Sequence, residues 1–137
     1  MPKFSVLKMA RGLSQVFRPV ELTDIDGRYH AFIVRYSGDY ITHAHDKDEF
    51  VYILEGSLVV EMEGREVEVR QGEALLVPAG VKHRPRCRNN ALGLVVETKG
   101  GKSCVRPLPE ILQQLGQPVD GNQSIGHAWA TGLYEGL

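Results

Sequence analysis

Between residues 29 and 97 the chain repeats one device: a short run of β-branched and aromatic residues, closed by a glycine-centred turn. Residues 29–36 (YHAFIVRY) stop at Ser37-Gly38-Asp39, and residues 49–55 (EFVYILE) stop at Gly56. Residues 57–63 (SLVVEME) pass through Gly64 into REVEVR, EALLVP follows Gln71-Gly72-Glu73, and Pro78-Ala79-Gly80 leads into runs over 81–88 and 91–97. Val, Ile, Tyr and Phe suit a pleated, half-buried surface, whereas Gly reaches the positive φ values that tight turns need. In REVEVR the alternation is strict, so Val67 and Val69 share one face while Glu66, Glu68 and Arg70 share the other. Short strands punctuated at this spacing predict an all-β sandwich or barrel, and 15 glycines with 7 prolines are more punctuation than a helical bundle uses.

A chain of 137 residues is the size of one domain and can bury a core without disulfide staples. The formal charge of −1, from 16 basic and 17 acidic side chains, is not the field of a typical nucleic-acid binder. No apolar run approaches the roughly 18 residues of a membrane span, and Lys3, Lys8 and Arg11 interrupt the first segment, which reads as a short β-edge or helix leading into the domain. Cys87 and Cys104 stand alone rather than in a C-x-x-C pair, so the expected setting is a reducing cytoplasm. We expect the barrel to occupy residues 1–106. Residues 107–137 should hold a short C-terminal helix over Pro107–Gly116, then a Gly-rich tail whose Trp129, Leu133 and Tyr134 pack on the barrel or on a partner subunit.

The histidines are not scattered. His43 and His45 lie two apart, and residues i and i+2 of a strand point to one face with Cα atoms roughly 6.6–7 Å apart. Glu49 follows across the polar stretch Asp46-Lys47-Asp48, and a tight turn there lets its carboxylate return to the same ion. His-His-Glu offers the nitrogen and oxygen donors that Zn, Fe, Mn, Ni or Cu accept. A surface H-x-H pair among acids is also a common feature of solvated loops, so this segment alone does not decide between the two.

A second segment, Gly72 through Pro78-Ala79-Gly80 to His83 (GEALLVPAGVKH), adds to it. Together with Gly38, His43, His45, Glu49 and Gly56, it resembles the two signature motifs of the cupin superfamily. Two positions depart from the usual pattern: four residues rather than five follow Gly38, and Cys87 stands where the second motif ends on Asn. The resemblance, centred on residues 29–97, implies a double-stranded β-helix, a small jelly-roll barrel. It implies one divalent metal ion (Zn, Fe, Mn or Ni) held by His43, His45, Glu49 and His83, with open positions for water or substrate.

Strand parity sorts the neighbours. Pro85 and Cys87 should point inward with His83, while Arg84, Arg86 and Arg88 point outward as a solvated face paired with Glu66 and Glu68, or as a basic subunit contact. Val51 and Ile53 share the parity of Glu49 and, with Cys87, should line a largely apolar substrate cavity. His30 and His127 have no partner at ligand spacing, and no phosphate loop or nucleophile turn occurs. The resulting expectation is a small metal-dependent enzyme doing dioxygenase-, isomerase- or lyase-type chemistry on a small organic molecule, as a homodimer. The other reading is a non-catalytic ligand-binding or sensing module. The sequence places no second inward acid, lysine or tyrosine beside the metal as a proton donor or acceptor.

Overall fold

The computed structural model describes residues 1–105 together with the backbone at 128 and 129. One short helix, α1 (Val6–Arg11), precedes nine strands: β1 (Val20–Ile25), β2 (Tyr29–Asp39), β3 (His43–His45), β4 (Glu49–Met62), β5 (Arg65–Arg70), β6 (Ala74–Val77), β7 (His83–Thr98), β8 (Ser103–Val105) and β9 (Ala128–Trp129). Every strand pairing is antiparallel. The C-terminal helix expected over residues 107–116 lies outside the described residues, as does the tail apart from the backbone of β9, which pairs with β8. Among the described residues, the helix stands near the other end of the chain.

Two long strands organise the barrel. The second half of β7 pairs with β2 over Tyr29–Tyr36 and with β4 over Glu49–Gly56. Its first half pairs with Val59–Met62 of β4, with Gly38 and Asp39 of β2, and with His43 of β3. The first set, extended by β1 and β6, makes one sheet; the second, extended by β5 and β8, makes the facing one. Register breaks at Tyr36/Gly38, Ile53/Glu55 and Gly56/Val59 mark where β2 and β4 bend from one sheet into the other.

The turns expected at Gly38 and Gly56 are therefore bends within continuous strands, and Asn89-Asn90 likewise lies inside β7. A glycine with positive φ serves a bulge as readily as a turn, so the local signal is the same for both. Gly56 has φ 83°, and a Cβ there would stand 2.3 Å from the carbonyl oxygen of Asn90, so the bend requires glycine.

Alternation builds the core between the sheets. Phe32, Val34 and Tyr36 of β2, Val51, Ile53, Leu58 and Val60 of β4, Val69 of β5, and Cys87 and Val95 of β7 form one buried cluster. Residues 32–34 are apolar without alternation because the outer side is covered too: α1 lays Ala10 on Ile33 and Leu92, with Val6, Leu7, Leu13, Leu54 and Leu94 around them. The Arg35 guanidinium fastens this segment by donating to the carbonyls of Leu13 and Arg11.

The expected parity of β7 holds: His83, Pro85 and Cys87 are buried, while Arg88 is exposed and Arg84 and Arg86 are half-exposed. The outer arginines pair mainly with Glu61, which meets both Arg84 and Arg86, and Arg86 also meets Glu66. Glu68 was an expected partner, but it bonds Arg70 and Ser57 instead, although register sets it in the same cross-strand row as Arg86 with Val59 between them.

Candidate metal centre

Two strands bring the motif histidines together. His43 and His45 come from β3, and His83 opens β7 directly opposite His43. The stretch between His45 and Glu49 closes as a tight connection, and its acids hold the surrounding loops. Asp46 accepts the Lys102 N–H, and Asp48 accepts the Ala79 N–H at 2.8 Å. The Gly80 N–H donates to the His45 carbonyl at 2.7 Å, so the Pro78-Ala79-Gly80 turn is stapled to the segment carrying the first two histidines.

One ring nitrogen from each of His43, His45 and His83 lies within 4.8 Å of the others, and all three residues are buried. Glu49 arrives from the facing sheet, with its Oε1 3.5 Å from Nε2 of His45 and 3.5 Å from Nε2 of His83. The structure thus gathers all four residues the sequence singled out as ligands. Their relative exposures of 1–7% place a negatively charged carboxylate and three imidazoles out of water, an arrangement that is costly without a compensating partner.

The Nδ1 atoms are occupied. Nδ1 of His43 donates to the Ile41 carbonyl at 2.8 Å, Nδ1 of His83 donates to the Val81 carbonyl at 3.0 Å, and Nδ1 of His45 is hydrogen-bonded to the Ser103 hydroxyl at 3.2 Å. A proton held at Nδ1 leaves the lone pair on Nε2, which is the nitrogen a metal needs. Burial, with His83 and His45 as neighbours, lowers the His43 pKa well below 6.5; burial lowers that of His45 to about 4. Both rings are neutral at physiological pH. Burial alone would raise the Glu49 carboxyl, but His45 and His83 outweigh it and hold it below 4.5. Nε2 of His83 and Oε2 of Glu49 are buried without a hydrogen bond. Neutral imidazoles, an ionised carboxylate and inward polar atoms fit a divalent ion.

Two further groups line this end of the barrel, and sequence reasoning missed both. Glu97 of β7 stands directly opposite Glu49 of β4, and His30 of β2 stands directly opposite Glu97. His30 Nε2 is 3.8 Å from Glu97 and its Nδ1 is 3.4 Å from Glu21, so the histidine given no partner spans two carboxyls. Burial and the adjacent Glu49 push Glu97 up to about 9, so it carries a proton at neutral pH. Glu97 continues the inward parity of Val95, and that was the available signal. Tyr36 is also buried near both carboxyls, which together with burial raise its pKa.

Val51, Ile53 and Cys87 are buried in the apolar core. Cys87 lies four residues along β7 from His83, roughly 13 Å at strand rise. Its thiol donates to the Ser57 carbonyl at 3.5 Å, and burial raises its pKa, so it stays a thiol that fills space. None of the three borders the cavity of about 470 Å³ beside His83, which is lined by Thr42, Met62, Arg65, Lys82 and the surrounding polar residues of the β4–β5 turn.

Comparison with known proteins agrees with this architecture. Residues 32–97 match the family model of the cupin domain. Over 61 residues the chain is 41% identical to 3-hydroxyanthranilate 3,4-dioxygenase of Rattus norvegicus, a match covering 42% of this chain and 21% of that enzyme. It is 43% identical over 61 residues to tetracenomycin polyketide synthase protein TcmJ of Streptomyces glaucescens, covering 43% of this chain and 41% of that protein. The chain thus spans about a fifth and about two-fifths of these relatives. A solved cupin-2 domain protein from Shewanella frigidimarina superposes with a TM-score of 0.67 at 22% identity, covering 70% of this chain and 94% of that one.

Proposed function

This chain is a small cupin, and from that premise we propose that it is a metal-dependent enzyme performing dioxygenase-type chemistry on a small organic molecule. The observation that carries the proposal is the convergence of His43, His45 and His83 with Glu49 from the facing sheet. The dioxygenase named among the relatives supports the reaction type.

In this reading His43, His45, Glu49 and His83 hold the ion. When bound, it supplies Lewis acidity and, as iron, electron transfer toward dioxygen. The chain's own residues do the rest. Ile41, Val81 and Ser103 orient the imidazoles, and Asp46 and Asp48 fix the loops at the mouth. The apolar core beneath, including Val51 and Ile53, keeps water from the inner side of the centre. A homodimer in a reducing cytoplasm completes the proposal, in keeping with the free, buried Cys87 thiol.

Elemental analysis of untagged protein purified without chelator, run beside His45→Ala, tests it. The expected result is about one Fe, Mn, Ni or Zn per chain in the parent and little in the variant. The iron-loaded protein should then consume oxygen when offered hydroxylated aromatic acids. A parent without metal, or a variant that keeps it, overturns the metal centre. Full iron loading with no uptake across such substrates overturns the reaction type.

A further inference from the structure

Register places four residues of one strand parity in a row at the mouth, buried at His43 and His83 and exposed at Arg65. His43 pairs with His83, His83 with Met62, and Met62 with Arg65, across β3, β7, β4 and β5. Arg65 has the parity of Val67 and Val69, whose side chains turn toward the core, while Glu66, Glu68 and Arg70 turn out. The Glu63-Gly64 turn, with φ 51° and 78°, is a two-residue hairpin link that sets Arg65 opposite Met62. A long cation therefore stands on the inner rim two strand spacings from His83, roughly 10 Å between backbones.

The cavity beside His83 is built from three segments that meet there: Thr42, just before His43; Lys82, just before His83; and the β4–β5 turn with Arg65. Its charges are unevenly committed. Arg84 is tied to Glu61, and Glu66 to Arg86. Among the described residues Arg65 and Lys82 make no ion pair, and Glu63 is the one lining acid left uncommitted beside them. Two uncommitted cations against one acid, next to a cavity of about 470 Å³, favour an anion of ordinary ligand size.

We infer that Arg65, assisted by Lys82, binds the anionic group of the molecule the metal centre acts on, so the substrate class is a small organic acid bridging the imidazole cluster and the β5 rim. This rests on the metal-centre reading above. A guanidinium holds a carboxylate through paired N–H donors, which fixes orientation as well as position. The rest of the acid then projects along the row toward His83.

Calorimetric titration of the zinc-loaded and metal-free full chain with benzoate and with benzamide, its neutral analogue, tests the assignment. Benzoate should bind at least about tenfold more tightly than benzamide, and Arg65→Gln should remove most of that difference while zinc content stays unchanged. Lys82→Gln should weaken benzoate less, Arg65→Lys should recover part of the loss, and Glu63→Gln should not weaken binding. No benzoate binding by the parent, equal binding of the two probes, or an Arg65→Gln protein that binds benzoate like the parent overturns it. Failure of the metal-centre reading is separately visible as absent zinc. Arg65-dependent benzoate binding by the metal-free chain would still support the anion site.

Discussion

The two sheets meet at the barrel mouth with opposite chemistry. One presents the row His43–His83–Met62–Arg65, rich in nitrogen; the other presents Val77–Glu49–Glu97–His30, centred on carboxyls. In the first row His43 and His83 are braced by main-chain carbonyls, so their tautomers are set before any ion arrives. In the second, Glu49 Oε2 and Glu97 Oε2 are buried without hydrogen bonds. Nε2 of His83 is buried without one too, so both sides want a partner, but the nitrogen side is pre-arranged. An ion between them satisfies both without reorganising the arranged one.

The comparison breaks most sharply at the imidazoles. His45→Ala should weaken zinc binding more than a hundredfold, since one of four ligands carries roughly 3 kcal/mol of the affinity of a full site; competition with a fluorescent chelator reads this directly. Gly56→Ala attacks the bend that lets β4 serve both sheets. A Cβ 2.3 Å from the Asn90 carbonyl should lower stability by about 3 kcal/mol in urea titration and reduce metal uptake in parallel.

The metal-free protein should show the two sheets as two limbs of its stability–pH curve. The His45 pKa falls from 6.5 unfolded to about 4 folded, so the unfolded state binds more protons in that window and stability falls as pH drops through it. The Glu97 pKa rises from 4.5 to about 9, so the folded state holds the extra proton and stability is lost as pH rises toward 9. Glu97→Gln should flatten the alkaline limb and leave the acid limb in place; an unchanged alkaline limb would remove Glu97 from the comparison. The mildest probe is Ser103→Ala, which strips the brace from His45 alone. We expect a ten- to hundredfold loss of metal affinity with the fold intact by circular dichroism.

Much of the nitrogen row was legible in the sequence because its spacing is local. His43 and His45 are related by strand parity, and the Pro78-Ala79-Gly80 turn marks the approach to His83. The carboxyl row was not, apart from Glu49. Glu97 and His30 meet only because β2, β7 and β4 pair in one particular register, and no short window of residues contains that register. The same cause hid the continuity of β4 and β7, where a glycine or an Asn-Asn pair reads locally as a stop. Val51, Ile53 and Cys87 were correctly turned inward by parity, but parity gives the face and not the depth, and the depth puts them in the core.

The carbonyl braces have a further consequence. His43 and His83 each bond the carbonyl two residues earlier on their own chain segment, at Ile41 and Val81. Ligand, tautomer and ring orientation are thus packaged within three consecutive residues. Such a triplet is portable: placed at the start of an inward-facing strand in another barrel, it would carry an Nε2 already prepared for coordination. The number and placing of these triplets around a barrel mouth, more than any long-range contact, would then set how many nitrogens a transplanted centre offers.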